Sequence, residues 1–310
     1  MKPSLRQSGA RVVVAFFCVA ALALTGCRNQ GSDNAMSSGG GEPVELVRTL
    51  AGHLHDDDLL GFARTALPAA DYQRLEASWR EGENYWPLTE LPMHDQFLPL
   101  LEALSAPGAG ERLRRGFDRQ FIGQEAELHD AVRTLGLFGV QYLRSEPGYS
   151  QREREHHIQV LRAVSGWGAQ APLADPRRAY AAISRLTSAA QAVGLYTEED
   201  LQREGMENSL RRMGPFIGEI KATLADYGLD LDRAFTQLQI NLVEETGDNA
   251  LVRIRYPLGE QVVDTTVELR HVEGRWYLEG YLQRAERRVE SDDDEPEHSL
   301  IPISGLKSVD

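Results

Sequence analysis

From residue 43 to about Phe235, apolar side chains return every three or four positions, the spacing that gathers them on one face of a helix. This period predicts helices over 44–54, 57–67, 69–81, 94–104, 111–120, 124–144 and 150–164. Asp175-Pro176 supplies an N-cap followed by proline at the first helical position; Tyr180, Ile183, Leu186 and Val193 then mark one face, and Gly194 closes it. Thr197 with Glu198, Glu199 and Asp200 begins another helix. Gly214-Pro215 is expected to kink or divide that helix before Ile217, Ile220, Leu224 and Tyr227, with Gly228 as its C-cap.

At about Thr236 the period changes to strict alternation. Leu238, Ile240 and Leu242 share a face, and after Thr246-Gly247-Asp248-Asn249 so do Ala250, Val252, Ile254 and Tyr256. Val263, Thr265, Val267 and Leu269 form a third run, Glu273-Gly274 a tight turn, and Trp276, Leu278 and Leu282 a fourth run. Short turns between alternating runs require antiparallel pairing with one face buried. The expected fold is therefore α+β, a mainly helical body followed by a C-terminal four-stranded antiparallel meander packed on helices.

Helices followed by such a sheet, ending in Val-Glu-Gly-Arg-Trp-Tyr over 272–277, resemble the cone-shaped α+β fold of the nuclear-transport-factor-like superfamily. The resemblance implies a pocket between sheet and helices, which in that superfamily serves enzymes, small-molecule binders and interaction modules alike.

Ahead of the helical pattern, Lys2, Arg6 and Arg11 precede an unbroken apolar run over 12–24, too short for an ordinary membrane anchor and built like an export signal. Leu24-Thr25-Gly26-Cys27 follows at once and resembles the lipobox of bacterial lipoproteins. By that resemblance the signal is cut between Gly26 and Cys27, and Cys27 carries the acyl chains on its sulfur and its new amino group. Two or more chains make attachment to a bilayer stable. Lipoproteins with Asp directly after the acylated cysteine are retained at the inner membrane, and Arg28-Asn29 stands here instead. The resemblance thus implies the periplasmic side of the outer membrane, with the inner membrane as the destination where that rule does not apply.

Composition supports this address. Cys18 lies within the signal, so the mature chain keeps Cys27 alone and has no pair for a disulfide. The formal charge is −14, and loss of a signal holding Lys2, Arg6 and Arg11 but no acid takes it three units further, to −17. That balance argues against nucleic acid and against binding along anionic lipid headgroups, so the membrane is expected as a partner only through the lipid. The expected organisation is a signal at 1–26, lipidated Cys27 with a flexible tether over 27–42, a helical region over 43–235, the sheet over 236–285, and an acidic disordered tail over 286–310.

Candidate chemistry is sparse. His53 and His55 before Asp56, Asp57 and Asp58 offer metal-ligand types, but an aspartate capping the next helix is the expected role. Glu153 and His156, beside His157, have the Glu-x-x-His spacing of di-iron bundles without a second copy in the body; Glu295 to His298 repeats it in the tail. A solvated helix face is the expected reading. Ser165 falls short of a nucleophile elbow, and Ser304 to Lys307 has Ser-x-x-Lys spacing in the tail. No cofactor or metal is expected.

Two surfaces stand as binding candidates. Trp79, Tyr85 and Trp86 bracket a polar turn and either present a flat face to a sugar or peptide or plug the space between helices. The sheet face opposite the apolar one would carry Arg253, Arg255, Glu268, Arg270, Tyr277, Glu279 and Tyr281, as a contact surface or as a wet face stabilised by cross-strand charges. The function expected is that of a non-catalytic envelope lipoprotein acting through protein or envelope-polymer contacts. The alternatives are a carrier holding a lipid or other apolar ligand between helices and sheet, and a hydrolase on the cone-shaped fold using an acid such as Asp264 or Glu268. A filled interior favours the first and a hollow one the others.

Overall fold

The computed structural model describes residues 42–91, 94–146 and 149–284. The signal, Cys27, the tether up to residue 41 and the acidic tail with its Glu295–His298 and Ser304–Lys307 spacings lie outside the described residues.

The fold is α+β, with a helical body and a C-terminal four-stranded antiparallel sheet packed against it. Helices α1 (Pro43–His55), α2 (Leu59–Ala66) and α3 (Ala69–Glu81) come first. Two 3₁₀ turns, Leu88–Glu90 and His94–Gln96, lead into α4 (Phe97–Ser105), α5 (Ala109–Gln120) and α6 (Glu125–Ser145). Then follow α7 (Gln151–Gly168), α8 (Pro176–Val193), α9 (Glu198–Asp226) and the short α10 (Leu231–Thr236). The sheet runs β1 (Gln239–Thr246), β2 (Asn249–Leu258), β3 (Gln261–Val272) and β4 (Arg275–Leu278), each paired with its chain neighbour.

Helix starts follow local chemistry. Ser150 and Thr197 each close a capping box, with Glu153 and Asp200 reaching back to the cap backbone. The Asp175 carboxylate accepts from the backbone of Arg177 and Arg178, ahead of Pro176. In the His53 to Asp58 stretch the cap is Asp58, which accepts from Gly61 N at 2.8 Å while its other oxygen meets His53 Nδ1 at 3.0 Å.

Three expectations are corrected. Gly214-Pro215 does not divide α9; the helical path is broken instead at Gly205, whose φ of 74° and ψ of 169° suit only glycine. A proline costs a helix one hydrogen bond, and at 215 tertiary packing on both sides keeps the path straight enough to continue: Met213, Gly214 and Phe216 are all buried. The fourth alternating run ends at Leu278, and 279–284 are helical. Leu278, Tyr281 and Leu282 fit the i, i+3, i+4 spacing of a helix as well as part of a strand pattern, and all three are buried. The Glu153/His156 stretch is not a solvated face, because α7 lies across the sheet and turns His156 inward, leaving it 1% exposed.

One continuous core joins the layers. Val252, Ile254, Val267 and Leu269 of the sheet, with Trp276 and Leu278, share it with Val47, Leu50, Leu59 and Phe62 of the first helices. A second cluster packs Val160, Ala163 and Val164 of α7 against Leu258 and Val263, with Leu224 and Leu229 alongside. Buried side chains from the helices and from the sheet meet between the layers.

Candidate functional site

Helix α6 packs chiefly on α7. The contact is close because its inward face carries Gly136 and Gly139. A Cβ on Gly136 would fall 2.5 Å from Ser165 Oγ, and one on Gly139 would fall 2.7 Å from a Leu161 methyl. Ser165, the weak nucleophile candidate, donates its hydroxyl to Leu161 O at 2.6 Å and is part of this seam. The ends are tied as well: His129 Nε2 meets Ala171 O at 2.8 Å, and the Arg154 guanidinium donates to the carbonyls of Leu143, Glu146 and Tyr149.

With glycines turned inward, large apolar side chains point out. Ala131, Leu135, Phe138 and Tyr142 follow one another at spacings of four, three and four, so they form one stripe along α6. Leu135 is 52% exposed, Phe138 70% and Tyr142 63%; Leu137, on the adjoining side, is 76% exposed. No charged side chain occurs over 134–143, and Arg133 and Arg144 bound the stretch. Arg133 pairs with Asp130 at 2.6 Å. A hydrogen bond with the Glu146 carboxylate raises the Tyr142 hydroxyl above the ordinary tyrosine range. Isolated exposed leucines are normal, whereas a contiguous stripe of this kind marks a contact surface.

Helix α7 in turn is fixed to the sheet. β4 pairs only with 269–272, so the first half of β3 has an open edge. Gln159 fills it: its amide donates to Asp264 O at 3.0 Å and accepts from Asp264 N at 2.8 Å, imitating a neighbouring strand. Arg152 and Glu268 pair at 3.3 Å. His156 Nε2 meets the Tyr256 hydroxyl at 3.0 Å, and its Nδ1 is buried without a hydrogen-bond partner. Burial, with the neighbouring His157 second, lowers the His156 pKa to about 4, and burial raises that of Tyr256.

No protein-family model, curated protein or solved structure matches this chain. The site is therefore read from its own geometry.

The residues expected to bind are placed differently from one another. Trp79 is wholly buried and donates to Leu201 O at 3.2 Å; Trp86 sits between Phe62 and Tyr281, at ring separations of 6.0 and 5.4 Å. These two fill space between elements. Tyr85 crosses Trp79 edge-on at 5.3 Å, accepts from Gln202 at 3.1 Å, and lines an open cleft of about 320 Å³ with Phe97, Tyr196 and Glu198. On the outer sheet face the Asp264 carboxylate takes both Nε (2.8 Å) and a terminal nitrogen (2.6 Å) of Arg253, and meets Arg255 at 3.2 Å. Tyr277 pairs with Arg270 and so stays on the outer sheet face, but it is buried there; Tyr281 is buried too, in the terminal helical turn.

The exposed stripe on α6 was missed by sequence reasoning. Its apolar residues signal a helix, but which of two apolar faces meets the body is decided by the glycines of the seam.

Proposed function

We propose that this chain is a lipid-anchored protein of the bacterial cell envelope, held by Cys27 on the periplasmic side of the outer membrane, that acts as a non-catalytic interaction module. The observation that carries the interaction reading is the uncovered apolar stripe of Leu135, Phe138 and Tyr142 on α6. The anchor rests on the lipobox over 24–27, and the strongly acidic balance supports attachment by lipid rather than by charge. The apolar side chains that helices and sheet bury against each other fit contact at the surface.

Crosslinked envelopes test this reading. Cells making the wild-type chain should yield crosslinked species that Phe138→Glu removes, while Cys27→Ser should release the protein from the membrane fraction. A Phe138→Glu chain that kept every crosslinked species would overturn the role of α6. A Cys27→Ser chain that stayed in the membrane would overturn the anchor.

A further inference from the structure

We infer that the cleft between the turn over 85–89, α4 and the start of α9 binds a basic side chain, lysine or arginine, of a partner peptide. This site is separate from the α6 stripe and does not depend on it.

The cleft has a volume of about 320 Å³, within the range of small-ligand sites. Its floor is apolar: Leu88, Phe97 and Leu201 are buried, Leu201 completely. Tyr85 and Tyr196 also line it, and both are held through their hydroxyls, the first accepting from Gln202 at 3.1 Å and the second donating to Gln191 O at 3.3 Å.

The formal charges around this floor are of one sign. Asp95, Glu102 and Glu198 line the cleft, and no lysine or arginine does so among the described residues. Asp95 is paired with His94 at 2.9 Å, whereas neither Glu102 nor Glu198 has an ion pair among the described residues. The place of Glu198 in the first turn of α9 accounts for it, since a negative charge is favourable there. Glu102 has no such reason. It lies in the last turn of α4, the end of a helix that disfavours an acid. Burial chiefly, with the Glu198 charge adding to it, holds the Tyr85 hydroxyl above the ordinary tyrosine range, so that charge reaches the aromatic side of the cleft.

A matching ligand carries a cation at the end of an apolar stem. Its stem covers Leu88, Phe97 and Leu201, its head meets the carboxylates of Glu102 and Glu198, and the tyrosine rings add cation–π attraction. An anionic headgroup would be repelled, and a neutral apolar ligand would strip water from carboxylates without replacing it. The cleft is open on one side, so a peptide can enter side chain first with its main chain left outside.

Calorimetric titration of the purified full-length protein in nonionic detergent, with the capped tripeptides Ala-Lys-Ala and Ala-Arg-Ala, tests this. At least one should bind saturably. Glu102→Gln with Glu198→Gln should weaken that binding at least fivefold, while Glu125→Gln with Glu127→Gln, which removes the same charge from the start of α6, should change it less than twofold. Equal weakening by the two pairs would overturn the site in favour of the general field of an acidic chain. Norleucine in place of lysine should abolish binding, and equal binding would overturn the need for a cation. Displacement by 1,5-diaminopentane at no higher concentration than the peptide itself would overturn a peptide as the source of the amine. Saturable binding of neither peptide would overturn the proposal outright.

Discussion

His156 on α7 and Tyr256 on β2 meet at 3.0 Å in the dry layer between helix and sheet, the imidazole with one ring nitrogen bonded and the other buried without a partner.

That burial makes stability depend on pH. The unfolded imidazole takes up a proton near its ordinary pKa of 6.5, and the folded one only at about 4. Between those values the unfolded state binds the extra proton, so stability is complete above the upper one and falls as pH drops toward the lower. The loss is on the order of 3 kcal/mol at most. Urea midpoints taken near pH 7 and near pH 4.5 should differ more for the wild type than for His156→Leu. An equal difference in the two proteins would show that His156 is not the titrating group.

Lys221 is also buried, but with its charge paired. It is 5% exposed, and its three ammonium protons go to Leu54 O (3.0 Å), His55 O (2.7 Å) and Asp232 Oδ1 (2.6 Å). Asp57 Oδ1 stands 2.7 Å away and receives charge without a hydrogen bond, since no donor remains for it. The group closes the end of α1, where Asp57 takes a φ of 58° and Gly214 and Gly218 leave it room. Lys221→Met should destabilise by about 3–5 kcal/mol, read from chemical denaturation, because two carboxylates and two carbonyls lose their cation.

At the α6–α7 seam, Gly136→Ala should cost about 1–3 kcal/mol through overpacking against Ser165. Hydrogen exchange should quicken along α6 before it does in the sheet. Uniform quickening would mean that α6 does not open separately.

The ion pairs of the outer sheet face should matter little. Asp264 and Arg253 form a two-point contact, but both remain a third or more exposed. Asp264→Asn should therefore shift stability by about 1 kcal/mol or less, with a smaller effect at high salt. A loss of several kcal/mol would show that this face is covered by something else.

Much of the architecture is written locally. The change of period near Thr236 separates helices from sheet, and Ser150, Asp175, Thr197 and Gly194 mark helix ends by chemistry that needs no distant partner. The wet face of the meander is equally local for Arg253 and Arg255, because strand alternation alone puts them opposite Val252 and Ile254. Only tertiary structure decided the rest. Whether Leu278, Tyr281 and Leu282 ended a strand or began a helix depended on what buried them, since both periods fit so short a run. His156 looked polar and solvated until α7 was laid across the sheet, and whether Trp79 and Trp86 formed a binding face or plugged the space between helices was decided only by the helices that close over them. The apolar stripe of α6 is the clearest case: local sequence makes a helix with two non-polar sides, and the close approach allowed by Gly136 and Gly139 selects which side is buried and which faces outward.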